Sequence, residues 1–378
     1  MTPTSITPYF ILTALFIGVA SVIVRWSSFY RDKLTVGPDN RYMAIDGLRG
    51  FLALGVFFHH ALINYNYQID HVWKVPDSRF YTMCGEVGVS FFFIITAFLF
   101  WSKILNSKGS IDWNRLYFSR IKRIVPLYAL SVILIFIMVA IKSRWQFQSL
   151  PEELATDVLK WFLFSFFGSP DINKVSQTFT INAGVFWTLQ YEWKFYLMLP
   201  LMALLFHLRQ QIALYLIGFI LVILSGEQFL YYFIGGMLAA HLHHKGALPK
   251  RIPKIVYDLV FLILLAILFL KFDTAYGFGQ AAIASLGFAS LLAGNGLFGL
   301  LHLKSTRLLG EISYSIYLMH GLILTFMIGF LVRILNVLPA GQNYWLMTGV
   351  IGICLILVSS TSYRFVEHRF LQKNKMIT

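Results

Sequence analysis

In RYMAIDGLRGFLALGVFFHH (41–60), a charged cluster with Asp46 and Arg49 opens an apolar run that ends in two adjacent histidines, His59 and His60. An imidazole takes up and releases a proton near neutral pH, and a guanidinium grips carboxylate or phosphate oxygens. Both are costly inside a membrane, so ionisable residues there are functional candidates by default. On a helix advancing about 100° and 1.5 Å per residue, Arg49 and His60 lie nearly eclipsed on one face, with Asp46 about 40° away. The rise between them is roughly 16 Å. They cannot touch, yet one extended ligand can reach both. His59 points about 100° away. The plainer account is an arginine snorkelling to the surface and a histidine bonding between helices.

Four further stretches carry polar groups into apolar surroundings. In GEVGVSFFF (85–93), Gly85 and Gly88 permit close helix approach, and Glu86 lies at about the depth of His60. In WTLQYEWKFY (187–196), Thr188, Glu192 and Tyr196 share one helix face. A buried glutamate is expensive unless paired, and a histidine is a natural partner. In SRIKRIVPLY (119–128), Arg120 and Arg123 precede Pro126, and their fork geometry suits phosphate oxygens. Ordinary charge bias at a membrane face is the competing account. In LGEISYSIYLMH (309–320), Ser313, Tyr317 and His320 line one face. His241, His243 and His244 end a span with no acid or cysteine beside them, so no metal site is expected. Neither a glycine-rich phosphate loop nor a Gly-x-Ser-x-Gly nucleophile turn occurs.

Membrane helices must position these groups, because the composition allows little else. Of 378 residues, 58% are hydrophobic and 13% charged, where a soluble domain carries about 25% charged residues. Eleven apolar spans are read, roughly at 8–25, 46–65, 84–103, 124–142, 184–206, 212–225, 228–242, 255–271, 279–301, 309–332 and 344–364. Segments rich in Lys and Arg (25–41, 103–123, 241–254, 302–307 and the C-terminal tail) alternate with the charge-balanced loops 66–83 and 142–183. By the positive-inside rule, the N-terminus lies outside and the C-terminus in the cytoplasm. The expected fold is an all-α polytopic membrane protein of about ten to eleven transmembrane helices. The first apolar run has neither a basic residue ahead of it nor a small-residue cleavage site, and reads as a retained span. WFLFSFFG (161–168) is expected to lie in the interface or re-enter the membrane. Cys84 and Cys354 lie in or beside apolar runs and imply no disulfide framework. The net charge of +14 points to membrane lipid or an anionic cytosolic substrate rather than to nucleic acid, for which no motif is visible.

Taken in order, these motifs resemble the membrane-bound acyltransferase family 3, bacterial O-acyltransferases that modify surface glycans, antibiotics and related acceptors. The resemblance rests on DGLRG (46–50), with Arg49 and His60 at the family's Arg-x10-His spacing, and on Gly85-x-x-Gly88-Val89 with Phe92-Phe93. It continues through Arg120-x-x-Arg123-Ile124-x-Pro126-x-Tyr128 and Trp187-Thr188-Leu189-x-x-Glu192 with Phe195-Tyr196. FIGGM (233–237), the stretch from Gly310 to His320 and Glu367 close the series. Two places depart from the pattern. ITAFLF (95–100) stands where the family usually reads Ile-Ser-Gly-Phe-Leu-Ile, and Arg369 where proline is common. The resemblance implies a membrane domain over 41–370, preceded by an added helix and cytoplasmic linker (1–40) and followed by a cytoplasmic tail (371–378). It implies a stand-alone form, with no fused esterase-like domain.

It further implies an O-acyltransferase of the bacterial cytoplasmic (inner) membrane, without bound cofactor or metal. An acyl group, most often acetyl, would pass from cytoplasmic acyl-CoA to a hydroxyl of an extracytoplasmic glycan or lipid-linked glycan, such as O-antigen or lipopolysaccharide. Arg49, Arg120 and Arg123 would bind the donor. His60 would act as general base, with Glu86 or Glu192 orienting its ring. Asp46, His59, Tyr128, Trp187, Tyr196, Tyr317 and His320 would support them. Direct transfer and an acyl-enzyme both stay open. A small molecule such as a macrolide is the alternative acceptor. A proton-coupled transporter is the alternative class, although no repeat symmetry or pair of broken helices is evident.

Overall fold

The computed structural model describes residues 2–35, 42–108, 110–207, 211–247, 249 and 251–372. Arg41, Lys250, Lys373 and Lys375, which entered the charge pattern above, lie outside them, as does most of the 371–378 segment. Among the described residues the regular elements are all helical. In chain order they are α1 (Thr7–Trp26), α2 (Ser28–Thr35), α3 (Met43–Asp70), α4 (Arg79–Asn106), α5 (Trp113–Lys142), α6 (Pro151–Phe162), α7 (Trp187–His207) and α8 (Gln211–Ser225). There follow α9 (Leu230–His244), α10 (Lys254–Lys271), α11 (Phe278–Ala293), α12 (Lys304–Glu311), α13 (Ser313–Leu335), α14 (Gln342–Ser362) and α15 (His368–Gln372).

Each of the eleven apolar runs overlaps one or more of these helices. Five are long and apolar enough to cross a membrane by length and composition: α1, α4, α5, α13 and the run Gln342–Leu371. The others are shorter or more polar. The eighteen residues of α10 include Lys254, Asp258 and Lys271, and α8 and α9 have 15 residues each, against about 20 for a full crossing. Two runs end differently from the sequence reading. The helix expected over 279–301 stops at Ala293, because the buried Asp258 carboxylate accepts the backbone N–H groups of Asn295, Leu297 and Phe298 and holds a turn there. The run 309–332 is divided at Ile312 into α12 and α13. The aromatic stretch 161–168 leaves helix at Phe162, where Trp161 Nε1 donates to the Pro170 carbonyl at 2.9 Å.

α3 is the central element, packed against α4, α12 and α13, with α9 behind α4. Glycines allow these crossings to close. A Cβ on Gly310 would overlap the backbone carbonyl of Asp46, so α12 meets the start of α3 backbone to backbone. A Cβ on Gly85 would overlap the His59 ring, which tucks against α4. α5 begins at Asp112, whose carboxylate accepts the N–H of Arg115 at 3.0 Å and so satisfies one of the first-turn donors.

Candidate active site

α3 delivers His60 to a second histidine. His60 Nδ1 lies 3.0 Å from His320 Nε2, the rings 4.9 Å apart between centroids. His320 is fully buried on α13, and its Nδ1 lies 3.1 Å from the Ile316 carbonyl. A carbonyl only accepts, so His320 Nδ1 carries the proton and its Nε2 offers a lone pair. His60 Nδ1 is then the donor, 3.0 Å from His320 Nε2 and 3.1 Å from the Val56 carbonyl. The tautomer that follows leaves a lone pair on His60 Nε2. His59 is buried and bonded to the Tyr81 carbonyl at 2.9 Å. The neighbouring imidazoles therefore have separate partners.

Near the pair, with Tyr317 between them, lies a small cavity lined by Arg49, Phe92, Glu192, Ser313 and Tyr317, among others. Its walls come from α3, α4, α7 and α13, so residues far apart in the chain converge as their helix faces require. The Thr188 and Tyr317 hydroxyls meet at 2.8 Å and join α7 to α13. The Tyr317 ring stands 6.0 Å from that of His320 and links the cavity to the histidines. Glu192 accepts from Tyr196 OH at 3.1 Å and from Thr96 Oγ1 at 3.4 Å. Arg120 is an electrostatic neighbour of both Tyr196 and Glu192. Trp187 opens α7, its ring 4.8 Å from Phe229. Tyr128 is buried away from the cavity and donates to the Trp161 carbonyl.

The two arginines of the Arg-x-x-Arg motif face different surroundings. Arg120 lines an open groove with Lys103, Ser119 and Phe100, its guanidinium 5.1 Å from the Phe100 centroid. Arg123 has Glu367, Glu311, Tyr363 and Tyr314 as electrostatic neighbours and lies within reach of Arg49, as does Asp46. Glu311 and Glu367 are buried. Tyr363 donates to Glu311, Ser315 donates to Glu367, and Lys33 lies 3.3 Å from Glu311. Sequence reasoning did not single out Glu311 or Lys33. The rule applied to Glu192, that an acid among apolar residues is a candidate, would have found Glu311 beside Gly310.

Glu86 stands apart from the histidine pair. Its Oε2 accepts from Thr274 Oγ1 and from the Ala275 N–H, both at 2.6 Å, and so pins the α10–α11 loop to α4. Arg79 on the same helix donates to the Phe272 carbonyl at 2.9 Å. At the end of α9, the His243 ring packs edge-on against Tyr42 and Phe98.

Comparison with known proteins places this arrangement. The profile of the acyltransferase domain of family 3 matches residues 42–364. The chain is 24% identical over 370 residues to O-acetyltransferase OatA of Staphylococcus aureus (strain NCTC 8325 / PS 47), a match covering 86% of this chain and 57% of that protein. It is 27% identical over 315 residues to exopolysaccharide production protein ExoZ of Rhizobium meliloti (strain 1021), covering 77% of this chain and 91% of that protein. The chain thus spans little more than half the length of the first relative. No solved structure matches it significantly.

Proposed function

Because the chain belongs to the membrane-bound acyltransferase family 3, we propose that it transfers an acyl group, in the simplest case acetyl, from acyl-CoA to a hydroxyl of a cell-surface glycan. The names of both relatives support that acceptor class, one as an O-acetyltransferase and one through exopolysaccharide production. The observation that carries the reading is the His60–His320 pair near a cavity holding Arg49 and Glu192. The orientation is part of the proposal. Residues 41–370 form a membrane domain in the bacterial inner membrane, with Arg49 toward the cytoplasm and the N-terminus outside.

In this scheme Arg120 and Lys103 meet the donor's phosphates at the open groove, and Arg49 guides the arm inward. The thioester comes to rest beside His60. An acceptor hydroxyl attacks the carbonyl carbon while His60 Nε2 takes its proton. The imidazolium is stabilised through Nδ1–H by His320 and the Val56 carbonyl. Collapse of the tetrahedral intermediate breaks the carbon–sulfur bond, and the thiolate recovers the proton from His60. The products are the acylated glycan and free CoA. Glu192, held by Tyr196 and Thr96, orients groups in the cavity, and Glu86 fixes the α10–α11 loop. The test is acyl transfer from labelled acetyl-CoA to a panel of oligosaccharides, comparing wild type with His60→Ala. Absence of His60-dependent transfer to any of them would sink the reading.

A further inference from the structure

Of the polar groups in the cavity that the scheme above leaves unused, one stands without a bond. Ser313 is 0% exposed, lines the cavity, and its hydroxyl has no hydrogen-bond partner among the described residues. A buried unpaired hydroxyl is costly, and folded proteins retain few. Helical serines commonly relieve the cost by bonding to the carbonyl four residues back, as Ser131 does with Leu127. Ser313 does not. The cavity lining includes the apolar side chains of Val89, Phe92, Phe93 and Leu189, and the hydroxyls of Thr188, Tyr314 and Tyr317 that share it are bonded to protein partners. A polar group with no partner of its own, set among such apolar side chains, can fix a ligand's orientation.

Helix register locates Ser313 along the path. α3 and the α12–α13 pair run side by side in the same direction with a nearly constant offset. Gly50 abuts Leu309 and Gly310, His60 meets His320, and Asn64 meets Thr325. Ser313 therefore stands level with Ala53, about 6 Å beyond Arg49 and about 10 Å short of His60. With the thioester at His60 and the phosphates at the basic groove, the pantetheine arm is what passes Ser313. That arm carries two amides. The one farther from the sulfur lies roughly 9 Å from it in an extended chain of standard bond lengths, close to the rise between Ser313 and the histidine pair.

We propose that Ser313 is a binding residue for this farther amide and thereby selects donors that carry a complete pantetheine arm. A hydroxyl both donates and accepts, so it can serve the amide carbonyl or its N–H. The inference rests on the acyl-CoA reading, and three donors separate the two. The purified chain in lipid nanodiscs is assayed with acetyl-CoA, S-acetylpantetheine and S-acetyl-N-acetylcysteamine, the last retaining only the nearer amide. Ser313→Ala should raise KM for the first two donors about tenfold, the order expected for one hydrogen bond, with kcat held. KM for the truncated donor should not move, because the amide that Ser313 serves is missing from it. Ser313→Thr keeps the hydroxyl and should restore the wild-type pattern. If Ser313→Ala does not fold, Ser313→Cys replaces it, as a weak donor of similar size. An equal effect on all three donors, or no effect on any, overturns the proposal. If wild type turns over none of the three, the acyl-CoA reading itself has failed, and this inference falls with it.

Discussion

His320 Nε2 and His60 Nδ1 stand 3.0 Å apart, and because His320 Nδ1 faces the Ile316 carbonyl the pair has a direction. His60 donates, His320 accepts, and the free lone pair lies on His60 Nε2. His320→Ala is expected to lower kcat roughly 100-fold, within the range for a lost acid–base arrangement, with the acetyl-CoA KM little changed. His320→Gln presents an amide oxygen that can still accept from His60 and should recover part of the rate. Steady-state acetyl transfer measures both, and equal losses would count against the direction assigned.

The same pair fixes the sign of the pH dependence. His60 works as a base only when neutral, so the rate is present above its titration and falls as pH drops through it. A kcat/KM profile should show one acidic limb, which moves when His320 is replaced because the imidazolium loses its acceptor. A limb that stays in place in His320→Ala would argue that another group titrates.

Arg120 and Arg123 are expected to fail in different ways. Arg120→Ala should raise the acetyl-CoA KM about tenfold, with a salt sensitivity that wild type shows more strongly. Arg123→Ala removes one of the cations that face Glu311 and Glu367, leaving Arg49 and Lys33 beside them, and should lower thermal stability instead, by up to about 3–5 kcal/mol, the cost of removing one partner from a buried ion cluster. Thermal unfolding in detergent and donor titrations separate the two outcomes.

Glu86→Ala removes the oxygen that accepts from both Thr274 and Ala275. Amide hydrogen exchange over 272–277 should rise about tenfold, the equivalent of one charged hydrogen bond. His60-dependent turnover at saturating donor and acceptor should change far less. A collapse of kcat with unaltered exchange would place Glu86 at the chemistry.

Gly310→Ala tests the backbone contact between α12 and α3. The added methyl meets the Asp46 carbonyl, a rigid partner, so a loss of at least about 1–3 kcal/mol is expected. Unfolding temperature reads it directly, and a stable Gly310→Ala protein would mean the crossing is looser than described.

The helical class was plain from composition, and the residues on each helix face were plain from spacing. Arg49, Thr188, Glu192, Ser313 and Tyr317 converge on one cavity, and each reads from spacing as sharing a helix face with other polar residues. What periodicity cannot encode is which faces meet. Glu86 and Glu192 both read as partners for an imidazole, yet His60 meets His320 and Glu86 meets a loop nearly two hundred residues away. Arg120 and Arg123 are one turn apart in sequence, yet their neighbours come from different helices. The break at Ile312 was also hidden, since the sequence around it reads as uninterrupted helix.

Lys33, on α2, lies 3.3 Å from Glu311, and Tyr30 on the same helix donates to the Ser360 carbonyl. Phe16 of α1 fills the notch at Gly352 on α14. All three lie ahead of residue 42, where likeness to the family begins. The copied unit, in the sense of the stretch that matches the family profile, and the set of helices packed together are therefore offset by two helices. A fragment cut at the start of the copied unit would strip a lysine from a buried glutamate and bare an aromatic notch, so engineered chimeras of this chain need to carry α1 and α2 with the domain they exchange.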